Sequence, residues 1–392
     1  MNTSANSKPL GGVRVIEMTQ VMAGPTCGLM LADLGADVIK VERHPHGDDT
    51  RAFGGGGAHG MTAPFVMMNR NKRGVVLDLR RDTDRESLWQ LLADADVLLE
   101  NYRPGTLEKF GFGYDTVHAR LPRLVYASIT GWGGVGPFGQ EGGYDMIAQA
   151  FAGIMTVTGS GDGKPVRPGP SLADVNAGLL ATVGILAALR QRDASGEGQR
   201  VQTSLLEAAL QQLYWYAAVY FETGKTPQAS GSAHPLSAPY QAFRASDGYL
   251  VIGGGNQANW ERVAQVLGHP EWVADPRFAS NAERKRHDTE LAELIEGVLA
   301  AHPVQTWLER LRAADVPAGP VNDIPTALFN PQTDALGLVQ TINQTADQPG
   351  GGPARVLGLP LRMSAFSAGI ERPAPLLGQH NAELLKTPDA GA

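Results

Sequence analysis

Cysteine is almost absent: the chain of 392 residues holds one, Cys27. An intrachain disulfide is therefore excluded, as is a thiolate metal cluster, and a reducing compartment fits. Positive charge is not in excess. Thirty-three Lys and Arg stand against forty Asp and Glu, so the chain as a whole is not built for nucleic acid, although a local basic patch could take anionic groups. Long apolar runs are missing too. The longest, 177–189, contains Gly and Thr and falls short of a bilayer span. The opening MNTSANSKPLGG has no apolar centre of the kind a secretory leader carries. Together these absences predict a soluble, cytoplasmic protein with no membrane partner. Three motifs are also lacking: the dinucleotide G-x-G-x-x-G, the Walker Gly-Lys-Ser/Thr and the hydrolase G-x-S-x-G.

What is present is an alternation of short β-branched runs and amphipathic stretches. VRVIEM, ADVIKVER, GVVLDL, DVLLEN and RLVYASITGWG read as strands, with GPTCGLMLADLG and DRESLWQLLAD as helices between them. That order predicts an α/β fold, a Rossmann-like parallel sheet with helices on both faces. Further on, 177–190 and 205–223 read as one helix each, with a loop and strand between them. GKTPQASGSAHPLSAP has the composition of a long loop or boundary. YQAFRASDGYLVIGGG then reads as two strands around an Asp-Gly turn, followed by helices. The expected division is a large domain over 1–226, a smaller α+β domain over 227–323, and a segment 324–392 with few clear elements that returns to the large domain.

Candidate chemistry is sparse. In PGPSLADVNAGLLATVGILAAL, Asp174 is the lone ionisable side chain at the mouth of an apolar helix. Such an Asp is more often a helix cap than a reagent. Glu42 ends the second strand, where a ribose-binding acid would sit, but the glycines of that motif are missing. Arg43, Arg51, Arg70, Lys72, Arg73, Arg80 and Arg103 recur around the strand ends, with Asn101 and Tyr102 beside the last. Cations and a ring there suit a ligand with phosphates and a base, or simply a solvated rim. His44, His46 and His59 lack metal-ligand spacing, so no metal is expected.

Taken together, AGPTCGLMLADLGADVIKVERHPHGDDTR, NRNKRGVVLDL, ENYRPGTLEKFGFGYD, VPAGPVND and PLLGQHN resemble the class III coenzyme A transferases. This is the family of formyl-CoA transferase, carnitine CoA-transferase and α-methylacyl-CoA racemase. The resemblance implies that Asp174 is the catalytic nucleophile. It implies that Met22, Ala23, Arg43, Leu77, Arg80, Asn101, Tyr102, Arg103 and Lys109 bind CoA, a substrate rather than a resident cofactor. Lys109 stands where formyl-CoA transferase has Arg, and Gly142 where that enzyme has a substrate-side lysine. GYDMIAQA, VRPGPSLAD and GSAHPLSAPYQAF look like the branch that moves CoA from succinyl-CoA to other dicarboxylic acids. Tyr144, Asp145, Arg167 and His234 are the expected acyl-side residues, with Arg167 and His234 as candidate cations for a second carboxylate. The SGSAHP loop could close over the reacting centre. Asp174 is expected to stay ionised through the helix dipole. An interlocked homodimer is implied, with the connections near 190–235 and 320–350 compatible with threading. Two alternatives stay open: a 2-methylacyl-CoA racemase, whose histidine would sit where this chain has Tyr144, and a non-catalytic CoA-binding protein.

Overall fold

The computed structural model describes residues 8–55, 61–343 and 353–385. His59 and most of the glycine-rich FGGGGAHG stretch lie outside the described residues. The chain divides into two units: Met1–Ile154 with Arg167–Gly224 and Pro331–Ala392, and Met155–Val166 with Lys225–Asn330. The segment Met155–Val166 thus belongs to the second unit although it lies within the span 1–226.

The first unit is built on six parallel strands: β1 (Arg14–Met18), β2 (Asp37–Arg43), β3 (Arg73–Leu77), β4 (Val97–Glu100), β5 (Val125–Thr130) and β6 (Arg200–Ser204). Their order is β3-β2-β1-β4-β5-β6. Strands buried on both faces need apolar side chains throughout, and Val15, Ile16, Val38, Ile39, Val97, Leu98 and Leu99 supply them at 0–1% exposure. The order reverses between β1 and β4. The loops leaving those two strands turn to opposite sides and open a crevice at the carboxyl ends of the strands.

The helices of this unit are α1 (Ala23–Asp33), α2 (Ala63–Asn69), α3 (Asp82–Ala93), α4 (Tyr114–Arg120) and α5 (Asp145–Ala152). The single turn α6 (Ile154–Val157) leads on to α7 (Leu172–Ser195), α8 (Leu205–Gln211) and α9 (Tyr214–Thr223). Two expectations are corrected here. The run 205–223 is two helices, broken at Gln212 and Leu213 where the backbone leaves the α ladder. And α7 is 24 residues, long and apolar enough to cross a membrane by length and composition, which the count of its apolar core had excluded. In this fold it lies on α1. Ala173, Ala177, Ala181, Ile185, Ala188 and Leu189 face the core of the unit.

The α1–α7 crossing is close because Gly178 carries no side chain. A Cβ there would stand 2.6 Å from the Ala23 carbonyl oxygen and 2.7 Å from Thr26 Cβ. Cys27 faces the same contact, bonded to Thr182, and burial pushes its thiol up to about 12, so it is no nucleophile near neutral pH.

The segment after Ile324 is more ordered than its composition suggests. Short helices α14 (Ile324–Leu328) and α15 (Pro331–Ala335) precede strands β10 (Val339–Asn343) and β11 (Pro353–Leu357), which pair antiparallel. In the first unit, Asn381 and His380 accept the Val76 and Gly74 amides, tying the C-terminal segment to edge strand β3.

The second unit holds an antiparallel sheet of β7 (Tyr240–Arg244), β8 (Tyr249–Gly253) and β9 (Ala318–Pro320). Its helices α10 (Gln257–Val266), α12 (Asp288–Leu299) and α13 (Val304–Ala313) close a core around Phe243, Ile252, Trp260, Phe278, Ile295 and Trp307. The short α11 (Asn281–Arg286) carries the fully buried Arg284, whose donors all go to neutral acceptors on Ala238, Gly255, Gln257 and Phe278.

Gly178→Ala tests the crossing. Alanine normally stabilises a helix by about 1 kcal/mol over glycine. Here the added methyl meets backbone, and overpacking of that kind costs roughly 1–3 kcal/mol. Urea denaturation should show a net loss of stability; a gain would mean that the helices part freely.

Candidate active site

Asp174 sits in the first turn of α7, yet it caps nothing. The N-cap position is Ser171, and no side chain of its own helix accepts the first amides. They are taken by Asp145, 29 residues earlier, at the start of α5. Its Oδ1 accepts the Ala173 amide at 2.9 Å and the Asp174 amide at 3.3 Å, while Oδ2 accepts from Gln149 Nε2 at 2.6 Å. Gln149 is fully buried, which fixes the Asp145 carboxylate in place. The Asp174 carboxylate is left half-buried and accepts no hydrogen bond among the described residues. Burial, and then the like charge of Asp145, raise its pKa to about 7. This overturns the expectation that the helix dipole alone keeps it ionised: the amides that would do so already serve another carboxylate.

The carboxylate faces a cavity of about 300 Å³ at the strand-order reversal. Met22, Ala23, Asn101, Tyr102, Arg103, Tyr144 and Asp145 line it with Asp174. A second cavity of about 400 Å³ is lined by Arg43, Leu77 and Arg80, and it shares Gln20, Tyr102 and Thr106 with the first. The two together form a path along the carboxyl ends of the strands. Lys109 lines neither; it is exposed, in the turn Glu108–Phe110.

Several sequence candidates are engaged elsewhere. Asn101 stitches the two crevice loops together, its amide accepting from Gln20 N and donating to Gln20 O, both at 2.9 Å. Arg80 is paired with Asp78, and Arg43 with Asp49 and the Gly47 carbonyl. Glu42 is buried under Arg51, which grips both its oxygens, so it cannot hold a ribose. Arg70 is buried against Asp33, and Lys72 against Glu17. Arg73, at the amino end of β3, pairs with Asp37 and Glu383. Three of the seven cations read around the strand ends, Arg51, Arg70 and Lys72, are therefore internal.

The two cations suggested for an acid's second carboxylate fare differently from Arg103. Arg167 is exposed and donates to the nearby Gly169 carbonyl; it lines neither cavity. His234 lies in the second unit, stacked on Tyr240, with its Nδ1 engaged by the Leu236 amide, and it lines neither cavity. Arg103, named only for CoA, stands in the wall with Asp174 and pairs with no carboxylate among the described residues. Gly142 makes the room: a Cβ there would lie 2.6 Å from Arg103 Nε. The sequence signal for this was the bare glycine itself, read as a missing lysine rather than as space.

Known proteins resemble this chain over nearly its whole length. The sequence model of CoA-transferase family III matches residues 10–381. The succinyl-CoA:glutarate CoA-transferase of Mus musculus is 38% identical over 379 residues, 97% of this chain and 86% of that protein. The acetyl-CoA:oxalate CoA-transferase of Acetobacter aceti is 36% identical, covering 98% of each. A solved CAIB/BAIF family protein from Brucella suis superposes with a TM-score of 0.84 at 37% identity, over 96% of this chain and 98% of its own.

If Asp174 must be ionised to react, kcat/KM should rise with pH and reach half its plateau near pH 7. Glu100, buried and accepting the Tyr102 amide, is also pushed up to about 7, so the profile alone does not identify the group. Asp145→Asn does. Removing the like charge should move the acid limb toward lower pH, whereas a limb set by Glu100 would stay in place.

Proposed function

The chain belongs to CoA-transferase family III, and from that membership we propose that it moves CoA from an acyl-CoA such as succinyl-CoA to a dicarboxylic acid, with Asp174 as nucleophile. The observation that carries this reading is an uncapped, half-buried carboxylate at a cavity wall, with a basicity raised by its surroundings. A more basic carboxylate is a better nucleophile once it has lost its proton. Its attack on the thioester carbonyl expels CoA thiolate and leaves an aspartyl–acyl anhydride. The thiolate then attacks the aspartyl carbonyl, releasing the first acid and forming an aspartyl-CoA thioester. The acceptor carboxylate attacks that thioester, giving the new anhydride and thiolate. Return of the thiolate to the acyl carbonyl forms the new acyl-CoA and regenerates Asp174. Each step exchanges one activated carbonyl for another, so the thioester energy is conserved while water is kept out.

Racemisation needs a second proton-transfer group facing the α-carbon. Among the described residues no histidine lines the Asp174 cavity, and Tyr144 stands there instead. A phenol is a poor base at neutral pH. That favours transfer over racemisation.

The acid's second carboxylate must be held away from Asp174, or the two anions repel. Arg103 supports this role better than Arg167 or His234, because it shares the cavity and carries no acid partner among the described residues. Glutarate and oxalate, the acids in the names of two relatives, are both dicarboxylates of different length. The reading therefore concerns the second charge and not the span between charges.

Asp174→Asn is expected to abolish transfer while the protein still folds. The sign of its effect on stability follows from the raised pKa. The folded protein holds the Asp174 proton more tightly than the unfolded chain, so stability falls as pH climbs from the usual carboxylate range through about 7. At pH 8 the variant should melt no lower than wild type. Turnover within tenfold of wild type, or failure to trap an acyl adduct on Asp174 with hydroxylamine, would count against the covalent route.

Arg103→Met should discriminate between acceptors. Loss of a charge-assisted contact costs roughly 1.5–3 kcal/mol, about ten- to a hundredfold. A selective loss with glutarate over a monocarboxylate of similar length supports Arg103 as the acid's partner. An equal loss with both assigns it to CoA.

A further inference from the structure

Three residues other than glycine adopt positive φ among the described residues: Asn71, Asp315 and Val21. Asn and Asp tolerate the left-handed region because their short polar side chains find local partners. A β-branched valine does not, and at φ 67° Val21 is a true outlier. Strain of this kind persists only where the surroundings impose it, and it gathers at functional sites. Val21 lies immediately before Met22 and Ala23, in the wall that contains Asp174.

What imposes the conformation is buried charge. The Val21 amide donates inward to Asp48 Oδ1 at 3.1 Å. The same oxygen accepts from the Thr50 amide and hydroxyl, at 2.9 and 2.8 Å. Asp48 Oδ2 meets Lys40 Nζ at 2.9 Å, and both side chains are fully enclosed. Lys40 also donates to the Thr19 carbonyl, two residues before Val21, at 2.9 Å. The turn is thus held from below at Thr19 and Val21, and from the side at Gln20 by Asn101.

We propose that Asp48, anchored by Lys40, is a positioning residue for transfer: it locks Val21 in the left-handed conformation that sets Met22 and Ala23 in the wall they share with Asp174. This rests on the transferase reading above. A carboxylate suits the task because it accepts on both sides at once. An amide cannot. With its oxygen toward Val21 it turns an NH2 on the Lys40 ammonium, and with its oxygen toward Lys40 it turns donors on the Val21 amide.

Glycine enters the left-handed region at no steric cost, and this gives the test. Asp48→Asn should lower kcat at least tenfold when residue 21 is valine and less than threefold in the Val21→Gly background, with KM for acyl-CoA changing less than kcat in both. An equal cost in the two backgrounds would overturn the proposal, since a merely structural Asp48 would not care which residue occupies position 21. The same four proteins compared by urea midpoint need no turnover: the midpoint should fall further for Asp48→Asn with valine than with glycine. Absence of transfer by wild type would count against the functional reading and leave that comparison standing. Should Asp48→Asn not fold, Val21→Pro fixes φ near −65° and removes the amide donor at the cavity wall. It should cut kcat more than a hundredfold without a comparable fall in melting temperature, and retained activity would overturn the proposal.

Discussion

The amides at the head of α7 are bonded to a carboxylate that does not belong to the helix. Asp145 reaches them from the start of α5, and the character of Asp174 follows. A helix N-terminus ordinarily steadies an acid placed there. With the amides already committed, Asp174 has burial on one side and a like charge on the other. Both raise its affinity for a proton, and both make its anion more reactive. The same bonds fix α5 against α7, and with it the Gly142–Asp145 turn that lines the cavity. The position of this turn and the shape of the wall therefore depend on one carboxylate held by Gln149, which adds to the basicity that burial confers on Asp174.

The crossing of α1 and α7 supplies the second constraint. Gly178 is one helical turn beyond Asp174, so the closeness it permits at the Ala23 carbonyl brings the turn that carries Asp174 toward the start of α1. The other end of α7 is held as well, where Arg192 donates to Asp96 ahead of β4. The helix thus spans the unit with both ends anchored. Beneath the β1 loop, Lys40, Lys72, Glu17 and Asp48 form a buried cluster of alternating charge. Removing Glu17 would strand Lys72, and removing Lys40 would strand Asp48, as an unpaired charge in a dry interior, a large penalty.

Much of the fold was legible because strands buried on both faces need β-branched runs, and those runs stand out in VRVIEM and DVLLEN. The head of α7 was less legible, since the polar residues of Leu172–Asn176 precede the apolar run and left the helix to begin at 177, with Asp174 at its mouth. The break at Gln212 has no glycine or proline to mark it. Strand β10, VQTIN, was passed over because alternating polar residues on a two-stranded ribbon resemble coil. At the site, Asp174 was found through resemblance, for an Asp before an apolar helix reads as a cap. Asp145 could be named but not understood: the amides it takes lie 28 and 29 residues away, and nothing in local spacing reveals them. The cations misled for a simple reason. Arg51, Arg70 and Lys72 look like surface charge in sequence, and only the fold shows that each faces an acid inside.

The bare backbone at Gly142 has a consequence for how such a site can change over time. The space beside it holds one cationic group, and here the Arg103 guanidinium fills it from the neighbouring loop. A long side chain arriving at position 142 would contest the same volume, and the exposed Arg103 would have to swing aside to admit it. The two positions compete for one space: whatever fills it from 142 displaces 103, and an exchange between them would change which loop supplies the charge while leaving the cavity its cation.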